Sequence, residues 1–192
     1  MSDKKKLIHI GRVVIGNKII KKIGLDTDIC LNWINGVYSD HQPNIINKNN
    51  KLFISYKVFG EIIGNLIGDK NANQKMLDDI RTKIFKFMKE KRISLIKKSY
   101  INQNEVNNLF FDLKDQNFKE TPGNSDLRII SIYKIAGMNC IFSNNEKHFE
   151  KPCDYVKIHF ERPFMIKKGS MQEVNRMLRD LYSGNKRFKR KK

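Results

Sequence analysis

Short apolar runs rich in β-branched residues alternate along this chain with longer stretches whose apolar positions recur at helical spacing. That alternation predicts repeated strand–helix units and an α/β fold built on a parallel sheet. The organising stretch is Lys18 to Ile34. Its run Ile19 to Leu25 reads as a buried parallel strand, and a helix follows Asp26-Thr27-Asp28 and continues to Val37. Trp33 on that helix reads as core rather than as a platform for a base. Upstream, Leu7 to Ile15 is β-rich and Gly16-Asn17 is a turn signal, so a hairpin leading into the key strand is one reading. Tyr38 to Lys51 is a polar loop that carries His41.

Leu52 to Ser55 reads as a second strand, and Lys57 to Ile67 as a helix with Phe59, Ile62, Ile63 and Leu66 on its apolar stripe. Asn71 to Glu90 is a long helix with Leu77, Ile80, Ile84, Phe85 and Met88 inward. Its other side carries Lys75, Arg81, Lys83, Lys86 and Lys89, which face water or phosphates. Arg92 to Lys97 is a third strand, Gln103 to Leu113 a helix and Lys114 to Gly123 a loop. Asn124 or Ser125 caps the next helix, which Gly137 stops. Asn139 to Ser143 and Tyr155 to Phe160 are the fourth and fifth strands. Ser170-Met-Gln-Glu173 is a capping box that opens a final helix, Ser170 to Ser183, and Gly184 ends it.

Several polar residues stand out against this pattern. Asp26 and Asp28 follow the key strand, where open α/β sheets build their sites, although an Asp there also serves as a plain helix cap. Glu61 lies off the apolar stripe of its helix, beside Gly64 and Asn65, and reads either as a solvated acid or as one with room for a ligand. Asp126 falls in the first turn of its helix, three and four residues before Ile129 and Ile130. It points inward at an end where the helix dipole eases burial of a carboxylate.

Charge narrows the partner. The 192 residues hold 38 Lys and Arg against 20 Asp and Glu, a net +18, which favours RNA or DNA first and an anionic membrane surface second. Of the eight residues after Gly184, six are basic: Lys186, Arg187, Lys189, Arg190, Lys191 and Lys192. Such a tail suits phosphate contacts or simply keeps the chain in solution. Cys30, Cys140 and Cys153 are far apart with no CxxC, which predicts neither disulfides nor a structural zinc. No leader-like or membrane-spanning run is expected, and the compartment expected is the cytoplasm. The organisation predicted is an N-terminal extension (1–17), one domain (18–163), a C-terminal helix (164–184) and a basic tail (185–192).

Four pieces then line up in order: LDTD at a strand end, the helix bearing Glu61, the helix SDLRIISIYKIAG, and IFSNNEKHF after a strand. In these, residues 19 to 160 resemble the PIN-domain family, metal-dependent nucleases that include VapC-type toxins and archaeal relatives. The resemblance implies a three-layer sandwich, with a central parallel sheet of about five strands in the order 3-2-1-4-5 and helices on both faces. It places the catalytic acids at Asp26, Glu61 and Asp126, with Asp28 and Ser143 in support. The family's last acid falls on Asn145, with Glu146 beside it, so the implied metal set is Asp26, Asp126, Glu61, Asn145 and Glu146. An Asn there departs from the family and weakens a second ion unless Glu146 turns inward.

The implied cofactor is Mg²⁺ or Mn²⁺, hard ions that prefer carboxylate oxygens. The implied activity is hydrolysis of RNA by a metal-activated water, with DNA as the alternative substrate. Arg128, Lys147 and the basic tail are the expected nucleic-acid contacts, and His148 is either structural or an RNA contact. A toxin role would bring an acidic inhibitor protein, and the apolar helices allow a homodimer. The competing functions are a PIN-like RNA- or DNA-binding protein without turnover, which Asn145 permits, and a scaffold whose charge serves solubility.

Overall fold

The alternation of apolar runs and amphipathic stretches resolves into eight strands and six helices among the described residues. The computed structural model describes residues 13–15, 18–37, 41–43, 50–68, 72–162 and 165–167. In chain order these form β1 (Val13–Ile15), β2 (Lys18–Leu25), α1 (Thr27–Ile34), β3 (His41–Pro43), β4 (Asn50–Ser55), α2 (Tyr56–Ile67), α3 (Gln74–Lys91) and β5 (Ile93–Ile96). There follow α4 (Gln103–Asp115), α5 (Asn124–Ile135), β6 (Cys140–Phe142), α6 (Glu146–Tyr155), β7 (His159–Glu161) and β8 (Met165–Lys167). The expected final helix and basic tail lie outside the described residues.

Five strands pair in parallel in the spatial order β5-β4-β2-β6-β7. Numbered along the parallel sheet, that is 3-2-1-4-5, the expected order, with the Lys18–Leu25 strand in the middle. The chain steps outward from β2 to β5 and then crosses back to β6. Right-handed crossovers therefore put the helices before and after that reversal on opposite faces. Ile23, Leu25, Ile54, Ile141 and Phe142 are almost wholly buried, as strands covered on both faces must be. Each such aliphatic side chain contributes about 1.5–3 kcal/mol relative to exposure.

β1 pairs antiparallel with the first residues of β2, Val13 opposite Ile20 and Ile15 opposite Lys18. The two parallel neighbours pair with β2 only from Lys21 and Ile23 onward, so the hairpin occupies the overhang of a long central strand. Within the expected loop 38–51, β3 pairs with β8.

Three expectations are corrected. Tyr155 to Phe160 is not a strand throughout: α6 runs to Tyr155, and β7 is His159–Glu161. Pro152 inside α6 removes one backbone donor and hid the helix from a reading of periodicity. On α3 the buried aromatic is Phe87, while Phe85 is 51% exposed with its ring 5.5 Å from Phe59. The α5 cap also falls one residue early, on Gly123, whose amide donates to the Asp126 carboxylate at 3.2 Å.

One contact positions the strand ends that matter. Tyr133 of α5 is fully buried, and its hydroxyl donates to the Leu25 carbonyl at 2.5 Å and accepts from the Ser55 amide at 3.2 Å. It thus ties together the last residues of β2 and β4. The ring lies so close to Gly24 that a Cβ there would stand 2.7 Å from Tyr133 Cδ2. Gly24 is required by this approach.

Gly24→Ala should therefore destabilise the fold by about 1–3 kcal/mol through overpacking. Tyr133→Phe should cost about 1–3 kcal/mol by leaving buried backbone groups unpaired. Urea melts of both variants check this. A Gly24→Ala protein that melts like the wild type would remove the close approach from the account.

Candidate functional site

Parallel strands bring their C-terminal ends to one rim, and the acids singled out in the sequence occur there or on helices that reach it. Asp26 follows β2 and caps α1. It is 6% exposed; one carboxylate oxygen accepts from the Thr27 amide and the other from Ser143 Oγ, each at 2.7 Å. The Asp26 amide donates to the Phe142 carbonyl, extending the pairing of the two central strands to the site.

Ser143 follows β6. Its hydroxyl donates to Asp26 and accepts from the Asn145 amide at 2.9 Å. Asp28 accepts from the Asn144 amide at 3.0 Å, so two acids of one turn hold the loop after β6. Asn145 itself turns its side-chain amide toward His148 Nδ1 at 2.9 Å.

Glu61 on α2 reaches the same rim through hydroxyls. Thr27 Oγ1 donates to one of its oxygens at 2.5 Å, Ser125 Oγ donates to the other, and Lys57 Nζ lies 3.3 Å away. Thr27 adjoins Asp26 and Ser125 adjoins Asp126, so the three distant acids are linked through their neighbours. Asp126, in the first turn of α5, meets His148 Nδ1 at 2.9 Å in addition to the Gly123 amide.

The electrostatics of this rim are one-sided. Burial pushes the Asp26 carboxyl from its ordinary value of 3.8 up to about 7. That net rise includes a push from the nearby Asp28 charge and a smaller one from Asp126, while the bonds from Ser143 and Thr27 act against it. A buried carboxylate facing two more acids is stabilised by a cation, and this donor set is all hard oxygen. Mg²⁺ commonly takes one or two carboxylates and keeps several waters, and the ligand atoms of Asp26, Glu61 and Asp126 are not all within 4.8 Å of one another. The residues present therefore fit a hydrated divalent ion better than a tight all-protein cage.

Glu146 is an exposed member of the first turn of α6, and its carboxylate lies 3.6 Å from Arg162. The Arg128 guanidinium sits 4.2 Å from the Phe110 ring centroid and donates to Asn107 at 2.5 Å, which docks α5 on α4. Lys147 is exposed. Lys186, Arg187, Lys189, Arg190, Lys191 and Lys192 lie outside the described residues. Thr27, Ser125, Lys57 and His148 join the site without having been singled out as members. Ser125 immediately before Asp126 was the available signal, and it reads equally as a helix cap.

No helix among the described residues is long and apolar enough to cross a membrane. The sequence matches no family model and no curated protein. Among solved structures the chain resembles one titled "2.2 A resolution structure of VapBC-1 from nontypeable Haemophilus influenzae". The identity is 19%, the match covers 73% of this chain and 97% of that one, and the TM-score is 0.49.

Proposed function

We propose that this chain is a metal-dependent nuclease that hydrolyses phosphodiester bonds of RNA, with its centre at the Asp26–Asp126 rim. The supporting observation is the Asp26 carboxyl, driven up to about 7 by burial and by the acids around it. Such a group is costly as an anion until a cation arrives.

Asp26 and Asp126 would hold a Mg²⁺ or Mn²⁺ ion, with Glu61 as third ligand or as the group that positions water. Held there, such an ion would supply Lewis-acid polarisation of the phosphodiester and a nucleophile at neutral pH. The chain's own residues do the holding. Ser143 and the Thr27 amide fix both oxygens of Asp26, Asp28 anchors the loop after β6, and Thr27 and Ser125 orient Glu61. His148 steadies Asp126, with Nδ1 as its contact. Asn145 and the outward Glu146 leave the rim with fewer charges than the resemblance implies, which favours one strongly held ion over two. The net +18 and the six basic residues of the tail suit a polyanionic substrate. A toxin role would add an acidic protein that covers this rim, and no membrane is involved in the reading.

The neutral Asn145 also favours a second reading, a protein that binds RNA or DNA at this rim with little or no turnover. Cleavage separates the two. Single-stranded RNA should be cut with Mn²⁺ or Mg²⁺, and cutting should stop with EDTA. Asp26→Asn should lower the rate by at least about a hundredfold, of the order seen when one group that stabilises transition-state charge is lost. Equal rates for Asp26→Asn and wild type would sink the assignment, and binding without cutting would leave the second reading.

A raised carboxyl makes the metal-free fold less stable as pH climbs from about 4 to about 7, because the folded state releases its proton later than the unfolded chain. Asp26→Asn should therefore gain stability over wild type with rising pH, by at most about 4 kcal/mol at pH 8, and the gap should close near pH 4. Thermal melts in EDTA measure it; a gap independent of pH contradicts the electrostatic account. Removing 186–192 should reduce the salt dependence of RNA binding, by up to roughly 4 in the log–log slope if all six basic residues meet phosphates. An unchanged slope would remove the tail from the interface.

A further inference from the structure

A different group of metal-ligating side chains lies on β6 and β7, three residues and roughly 10 Å upstream of Ser143 along the strand. Cys140 and His159 are partners in the parallel register, and the His159 amide donates to the Asn139 carbonyl beside Cys140. Glu161 is two residues beyond His159, so both project from one face of the strand, the face that Cys140 shares. One ligand atom from each lies within 4.8 Å of the other two, the one such trio among the described residues. Cys140 is buried, while His159 and Glu161 have side chains 47% and 30% exposed, so the trio is open to solvent on one side.

We propose that Cys140, His159 and Glu161 form a site for a zinc-class ion, separate from the carboxylate rim. Zinc takes sulfur, imidazole nitrogen and carboxylate oxygen at roughly 2.0–2.3 Å in tetrahedral geometry, which puts ligand atoms about 3.3–3.8 Å apart. His159 Nε2 and Glu161 Oε2 already stand 3.8 Å apart. The soft thiolate and the imidazole set this trio apart from the all-oxygen rim, which suits Mg²⁺ or Mn²⁺. Three protein ligands leave the fourth position to water. On binding, the Cys140 thiol gives its proton to solvent and the sulfur coordinates the ion; no oxidation state changes. Burial holds the proton on that thiol well above the ordinary thiol range and Glu161 adds to this, while Lys21, on the same face of β2, opposes it; the bond from sulfur to the ion has to displace that proton. The sequence pattern predicted no structural zinc because no CxxC is present; here sheet register brings the ligands together.

Such an ion would clamp the edge strand β7, which pairs with β6 over three residues, to the interior of the sheet. Titration of the full chain with Co²⁺, a spectroscopic stand-in for zinc, tests the site. One equivalent should give thiolate-to-cobalt charge-transfer absorption that Zn²⁺ abolishes. His159→Ala should weaken cobalt affinity by more than about tenfold, and Glu161→Gln should weaken it too. Asp26→Asn should leave the absorption unchanged, which separates this site from the rim whatever that rim does. Saturating Zn²⁺ should raise the wild-type melting temperature by roughly 5 °C and that of His159→Ala by much less. Because Cys140 lies in the core, the decisive variants are the two at accessible positions. Absence of the charge-transfer absorption at stoichiometric cobalt, its survival in His159→Ala, or its loss in Asp26→Asn would each overturn the proposal.

Discussion

The carboxyl of Asp26, buried at the end of the central strand, is the constraint on which the site depends. It is partnered by one hydroxyl and one backbone amide, with Asp28 and Asp126 close enough to raise its affinity for a proton. An anion in that position is unfavourable without a compensating positive charge. The fold nonetheless holds it there: the Asp26 amide is in the ladder with β6, and Tyr133 locks the preceding carbonyl. Local stability is thereby exchanged for a place where a cation would be favoured. That exchange is common at functional sites and rare in cores built only for stability.

Hydroxyls do the assembling. Thr27 and Ser125 join Glu61 to the two flanking acids, and Ser143 joins Asp26 to the loop of Asn145. A hydroxyl donates to one carboxylate oxygen and so fixes the orientation of that group while leaving its remaining lone pairs available. His148 gives Asp126 a partner that is cationic only when protonated. The outcome is a rim with one fixed negative charge fewer than an acid at position 145 would bring. It is suited to a single hydrated ion.

The sheet order and most elements were legible because long buried strands and amphipathic helices write strong periodicities. Lys18–Leu25 and the stretch around Ile62 are examples. The α6 helix was not legible: six of its ten residues are charged or proline, and its inward stripe is just Phe149, Pro152 and Cys153. Phe85 and Phe87 could not be told apart, since α3 has apolar residues on adjacent faces and tertiary contacts choose between them. At the rim, the acids could be named from motif order, but their partners could not. Thr27 and Glu61 are 34 residues apart and Ser125 and Glu61 are 64 apart, and no local pattern encodes such contacts. The same holds for Cys140 and His159, which meet only through strand register.

Everything proposed for the rim rests on a single carboxyl being forced into discomfort that a divalent ion relieves. Carboxyl-carbon NMR of the full chain, titrated with and without Mg²⁺, observes that group directly. Asp26 should titrate near 7 in EDTA and move into the usual carboxylate range when Mg²⁺ is present. An Asp26 signal that titrates near 4 in both samples would contradict the claim, and with it the metal centre.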